Sequence, residues 1–148
     1  MTFTFLFILG LVLSTATRYY LAGRHIRHIA KHRDQVPADF ASKVSLPEHH
    51  KAADYTMAKL RLGLFEIALS AAILIIFTLL GGIQLLQNVT VELLGPGITQ
   101  QIALLISISL ITGVIDLPFS LYRQFGIEEQ FGFNRMSLKL FFIDSIKG

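Results

Sequence analysis

The chain has 148 residues, 53% of them apolar and 16% charged, with a mean hydropathy of +0.59 and a net charge of +3. A soluble domain carries about 25% charged residues; here the charges crowd between three long windows that hold almost none, which excludes an ordinary water-soluble domain and points to an integral membrane protein. The absence of cysteine excludes disulfides and thiolate metal sites, and no nucleic-acid partner is expected.

The first window runs from Met1 to Thr17 without an ionisable side chain, and apolar residues continue to Ala22. About 20 residues cross the hydrocarbon core, so 2–22 fits a span if Arg18 snorkels to the interface beside Tyr19 and Tyr20. The competing reading is a cleaved signal peptide. It lacks the basic segment that such a leader carries before its apolar stretch, so a retained anchor is favoured.

Residues 24–33, RHIRHIAKHR, are strongly basic and either continue the first helix or lie along an anionic membrane surface. His28 and His32 sit one helical turn apart, but four Lys or Arg surround them with no acid before Asp34, which favours a solvated basic face over a metal site. Val36-Pro37 breaks that helix, and Ser45-Leu46-Pro47-Glu48 has the form of a capping box opening the next one. The Glu48-His49-His50 triplet is a poor chelator, because neighbouring helical side chains point about 100° apart.

The second window, 62–91, has one charge, Glu66, near its start, and a single spanning helix is predicted over 64–86. The third opens with the Gly95-Pro96-Gly97 breaker and gives a span over 98–121. Ala68, Ala71 and Ala72, and Ser109 with Gly113, offer small faces for packing between helices of one chain. The connection between the first two spans, together with Arg18 at the end of the first, holds nine of the thirteen Lys and Arg, the connection between the second and third none, and the tail four. The positive-inside rule then puts the N-terminus outside, with the 23–61 loop and the 122–148 interfacial segment in the cytoplasm.

Glu66 and Asp116 are the acids in or near the spans, and intramembrane carboxylates are functional candidates by default. Both lie near the inner ends of their helices, where a structural role outweighs a direct role in handling substrate or water; Asp116 is expected to accept local bonds or to pair with Arg61 or Arg123. Pro118 should kink or end the third helix. Glu128 and Glu129 read as solvated loop charge rather than an acid/base pair. Phe131, Phe133, Phe141 and Phe142 seat the segment, Gly132 allows a turn, and Asn134 is the expected N-cap of a helix starting at Arg135.

The ordered set Pro47-Glu48-His49, Lys51-Ala52, Tyr55, Asp116-Leu117-Pro118-Phe119, Tyr122, residues 127–134 (IEEQFGFN) and Phe142-Ile143-Asp144-x-Ile146-Lys147 resembles the N-terminal membrane region of the type I CAAX prenyl proteases. The resemblance covers roughly residues 36–148. It implies an all-α integral membrane fold, here three transmembrane helices plus cytoplasmic and interfacial helices, as the N-terminal part of a larger multi-helix barrel around an intramembrane chamber. It implies zinc in the intact protein, bound on a His-Glu-x-x-His helix, with the lipid bilayer, a C-terminal protease domain and a peptide or protein substrate as partners. No histidine follows His50, so the chain is expected to be an inert N-terminal fragment holding no catalytic or metal-binding residue. The matching residues Glu66, Asp116, Pro118, Phe119, Tyr122, Glu128, Glu129, Phe131, Gly132, Phe133, Asn134 and Asp144 are structural or chamber-lining candidates. A bacterial inner membrane is the expected location. A three-span scaffold or subunit without enzyme activity explains the spans equally well but not the C-terminal block, and an ion-handling module would have to act through Glu66 and Asp116.

Overall fold

The computed structural model describes residues 2–147, and among them every regular element is helical. Helix α1 spans Thr2–His32, α2 Leu46–Thr78, α3 Gly82–Leu94, α4 Ile98–Leu121 and α5 Leu138–Lys147, with a short 3₁₀ turn at Ala38–Phe40 and a π-helical segment at Tyr122–Glu128. Three helical stretches, Thr2–His32, Leu46–Thr78 and Ile98–Glu128, are long and apolar enough to cross a membrane. At 13 residues, or about 20 Å, α3 is too short for that.

The chain divides into two compact units, Met1–His25 with Gly63–Pro118, and Ile26–Leu62 with Phe119–Gly148. In the first unit, the described residues that are buried are polar: Thr90 and Gln100, joined by a 2.9 Å bond from Gln100 Nε2 to Thr90 Oγ1. Large apolar side chains such as Phe3, Leu80, Leu93 and Ile98 face outward. That is the arrangement lipid favours, because hydrocarbon rewards no apolar burial but penalises an unmet hydrogen-bonding group. The second unit buries Ala53, Leu62 and Ile127.

Two expectations are corrected. The single helix predicted over 64–86 is divided. Helix α2 ends at Thr78, Leu80 N–H reaches back five residues to Ile75 O (3.1 Å), and Gly81 turns the chain at φ +80 into α3. Gly82 then passes so close to α2 that a Cβ there would meet Ile76 O at 2.9 Å and Phe77 Cα at 3.0 Å. Gly82→Ala should therefore destabilise the chain by about 2 kcal/mol. Gly126→Ala should be nearly neutral, because its Cβ meets only the exposed Tyr122 ring, which can swing aside. Thermal melts of both variants in detergent, followed by circular dichroism, test the contrast.

The third span keeps its expected bounds, with Pro118 inside the helix rather than at its end. Helix α4 runs on to Leu121 and is followed by the π-helical segment, which continues the helical path. The helix expected from Arg135 starts at Leu138 instead. Its first turn is capped by Ser137, whose Oγ accepts from Leu140 N–H at 3.3 Å, leaving Asn134 free for other bonds. The basic stretch 24–31 simply continues α1.

Candidate functional site

The second unit brings the C-terminal block onto the second to fourth turns of α2, at Lys51, Tyr55 and Lys59. Its organising feature is a helix stop. Gly132, at φ +72, lets the N–H of Phe133 reach Glu128 O (2.8 Å) and the N–H of Gly132 reach Glu129 O (3.0 Å), the paired bonds of a Schellman motif. The left-handed conformation is the reason for glycine, so Gly132→Ala should cost about 1 kcal/mol in a thermal melt; a Cβ meets nothing closer than Lys51 Nζ at 3.7 Å, and crowding adds little.

That stop aims Glu128 back at α2. Its carboxylate accepts from the Tyr55 hydroxyl at 2.5 Å and lies 3.4 Å from Lys59 Nζ, which also donates to Tyr55 Oη at 2.9 Å. The Glu128 side chain is 18% exposed, so the sequence-based expectation of a solvated charge does not hold for it. Tyr55 and Lys59, at i and i+4, share one face of α2. Around the triad, the Tyr55 ring meets Phe133 and Phe131 edge-on, with centroids 4.9 and 5.6 Å apart, and Lys51 Nζ sits 5.1 Å over the Phe133 ring.

Asn134 holds the far side of the turn. Its Oδ1 accepts from Gln124 Nε2 (2.6 Å) and from Met136 N–H (2.8 Å), while its Nδ2 donates to Glu129 Oε2 (2.7 Å). The π-helical segment, the turn and the chain leading to α5 are thus tied through one amide. Phe125 packs edge-on against Phe141 at 5.7 Å and anchors α5 to the same segment.

A second polar cluster joins the end of α1 to α2. Arg33 grips Asp54 with two bonds, from Nε to Oδ1 at 2.8 Å and from Nη2 to Oδ2 at 2.7 Å, and Asp34 Oδ1 lies 2.9 Å from His50 Nε2. The bonds to Asp54 hold the Arg33 guanidinium protonated even beyond the ordinary arginine range. At the start of α2 the Glu48 carboxylate accepts from both the N–H and the hydroxyl of Ser45.

The remaining sequence-based candidates are dispersed. Glu66 lies on α2 and Asp116 on α4, both in the first unit, where Asp116 lines a cleft of about 330 Å³ with Ser70, Phe77 and Thr112. Pro118 and Phe119 lie in the last turn of α4, the exposed Tyr122 opens the π-helical segment against Gly126, and Asp144 is exposed on α5. Lys59, Gln124 and the Arg33–Asp54 pair were not singled out from sequence. Only the i, i+4 spacing of Tyr55 and Lys59 could have drawn attention to the triad.

The histidines are engaged locally: His32 Nδ1 meets His28 O at 2.8 Å, and His49 Nε2 meets His32 O at 3.1 Å. Among the described residues no group of three or more His, Asp or Glu gathers at metal-binding geometry, so the residues present do not fit a zinc site.

A profile of the family described as CAAX prenyl protease N-terminal, five membrane helices, matches residues 25–148. The chain belongs to that family. Its relatives include the probable CAAX prenyl protease 1 of Schizosaccharomyces pombe, 28% identical over 141 residues, and the human CAAX prenyl protease 1 homolog, 30% identical over 135. Each match covers 86% of this chain but only 29% and 28% of the relative, so the chain spans under a third of those proteins. The crystal structure of S. mikatae Ste24p shares the fold, with a TM-score of 0.83 at 24% identity over 93% of this chain and 33% of that one. The match takes in the whole C-terminal block and its partners on α2, and identifies the region as the N-terminal membrane part of the family's fold.

Proposed function

We propose that the full-length protein carrying this region is a membrane-bound zinc endopeptidase of the CAAX prenyl protease type. In this reading a metal-activated water would cleave a peptide or protein substrate in a downstream domain. The region described here would wall part of an intramembrane chamber and brace that domain, with the chamber-lining role falling to Asp116 and the bracing role to the Tyr55–Lys59–Glu128 turn. The observation that carries the reading is the family match over residues 25–148 together with the bonding of its most distinctive block, 127–134, to α2.

The second unit also supports an orientation. It packs the 26–62 connection together with residues 119–148, so both stretches occupy the same side of the membrane, and they carry most of the Lys and Arg. By the positive-inside rule that side is the cytoplasm and the N-terminus lies opposite. A bacterial inner membrane draws no support from the relatives, which are eukaryotic; the orientation argument holds in either setting.

The test is made on the full-length protein purified in detergent. Peptides ending in a CAAX sequence, prenylated and unprenylated, should be cleaved in a zinc-dependent manner, with activity lost to a chelator and restored by zinc. No cleavage of either peptide by zinc-loaded protein would overturn the reading.

A further inference from the structure

Helices α1 and α2 meet in the first unit along a face that is divided chemically. On it lies an apolar cleft of about 440 Å³, lined by residues that include Ile8, Leu11, Val12, Ala16, Ala71 and Ile75. Adjoining it, and sharing Leu11, Thr15 and Ala71, is a smaller cleft of about 170 Å³ whose lining adds Ser14, Arg18 and Ser70. The polar lining consists of hydroxyls and one guanidinium, with no acid among its residues. Among the described residues, the side chains of Ser14, Arg18 and Ser70 have no hydrogen-bond or ion-pair partner.

Position along the helix adds a length. Arg18 and Tyr19 stand at the charged end of the apolar stretch of α1, and the Tyr19 hydroxyl closes that end of the groove by donating to Leu64 O at 2.7 Å. From Tyr19 back to Ile8 the helix rises about 16 Å, close to half of a hydrocarbon core of about 30 Å. The apolar cleft therefore extends over about one leaflet, with its cationic and hydroxyl-bearing neighbour at the interface end.

We infer that this α1–α2 face binds an anionic phospholipid, with its phosphate on Arg18, its ester carbonyls accepting from Ser14 and Ser70, and an acyl chain along the apolar cleft. The charge complementarity selects the occupant. A further transmembrane helix would cover the apolar cleft but would have to carry a carboxylate of its own to meet the guanidinium, whereas a phosphodiester supplies the anion at the depth where arginine snorkels. Serine hydroxyls one turn deeper meet the ester region, which offers acceptors and no donors.

The chain in detergent, mixed with equal amounts of phosphatidylglycerol and phosphatidylcholine of identical acyl chains, is read by native mass spectrometry. Phosphatidylglycerol should be retained about fivefold more, the equivalent of one basic contact. Arg18→Gln should bring the two lipids to parity, while Lys43→Gln, the same charge change in the connection after α1, should leave the preference intact. Ala16→Phe, which fills the apolar cleft from an exposed position, should lower retention of both lipids together. Millimolar inorganic phosphate should displace neither. Equal retention by the unaltered chain would overturn the inference without recourse to any variant. So would an equal loss with Lys43→Gln, unchanged retention with Ala16→Phe, or displacement by phosphate, which would mark a simple anion site.

Discussion

Glu128→Ala is expected to destabilise the second unit by about 3 kcal/mol, because it removes a charge-assisted acceptor that serves two donors at once. The Tyr55 hydroxyl and the Lys59 ammonium would lose the acceptor they share, with Lys59 still open to water. Tyr55→Phe should cost less, about 1 kcal/mol, since Lys59 remains to partner the carboxylate. The two effects should not add. A double-mutant cycle followed by thermal melts should return a coupling of about 1–2 kcal/mol, and additive losses would show that the 2.5 Å bond contributes nothing specific. Glu128→Gln provides the control for shape: it keeps an acceptor for Tyr55 but loses the charge that holds Lys59, and should fall between the two.

Asn134→Asp is the second substitution expected to matter, and its effect should depend on pH. The new side chain still accepts from Gln124 and from Met136 N–H, but it sets a carboxylate oxygen where Nδ2 now donates to Glu129 at 2.7 Å. Two carboxylates at that distance cannot both ionise without repulsion. The loss at neutral pH should be about 2 kcal/mol, moderated by the exposure of Glu129. One carboxyl of the folded pair would then take up a proton more readily than in the unfolded chain, so its folded-state pKa is raised. The deficit is largest above that raised pKa and shrinks as pH falls through it. Melts between pH 7 and pH 4 should show the variant approaching the unaltered chain on acidification, relative to its own baseline. A constant gap would mean that the Asn134–Glu129 contact plays no part.

These two sites mark where reading along the chain failed. Glu128 and Glu129 look like a solvated pair because adjacent acids on a polar loop usually are. Glu128 is held by Tyr55, 73 positions away, and Glu129 by Asn134, through a turn that Gly132 permits. Asn134 preceded by glycine and phenylalanine looks like a helix cap, but its amide is already committed to three partners, and the capping falls to Ser137. At Gly81-Gly82 the hydropathy of the surrounding window hid a turn that a glycine pair often marks.

The sequence by itself determined the membrane class, the existence of three spanning helices, the all-α fold and the resemblance that the family match bears out. Those properties are local, since hydropathy, charge asymmetry and a contiguous motif can each be read within a short window. Only the tertiary structure decided what the motif does. It showed that the block from Ile127 to Asn134 is a helix stop fastened to Tyr55 and Lys59, and that α1 and α2 leave an unpaired arginine beside a groove one leaflet deep. Both depend on which distant side chains share a face once the helices pack, and the one-dimensional pattern carries no record of that pairing.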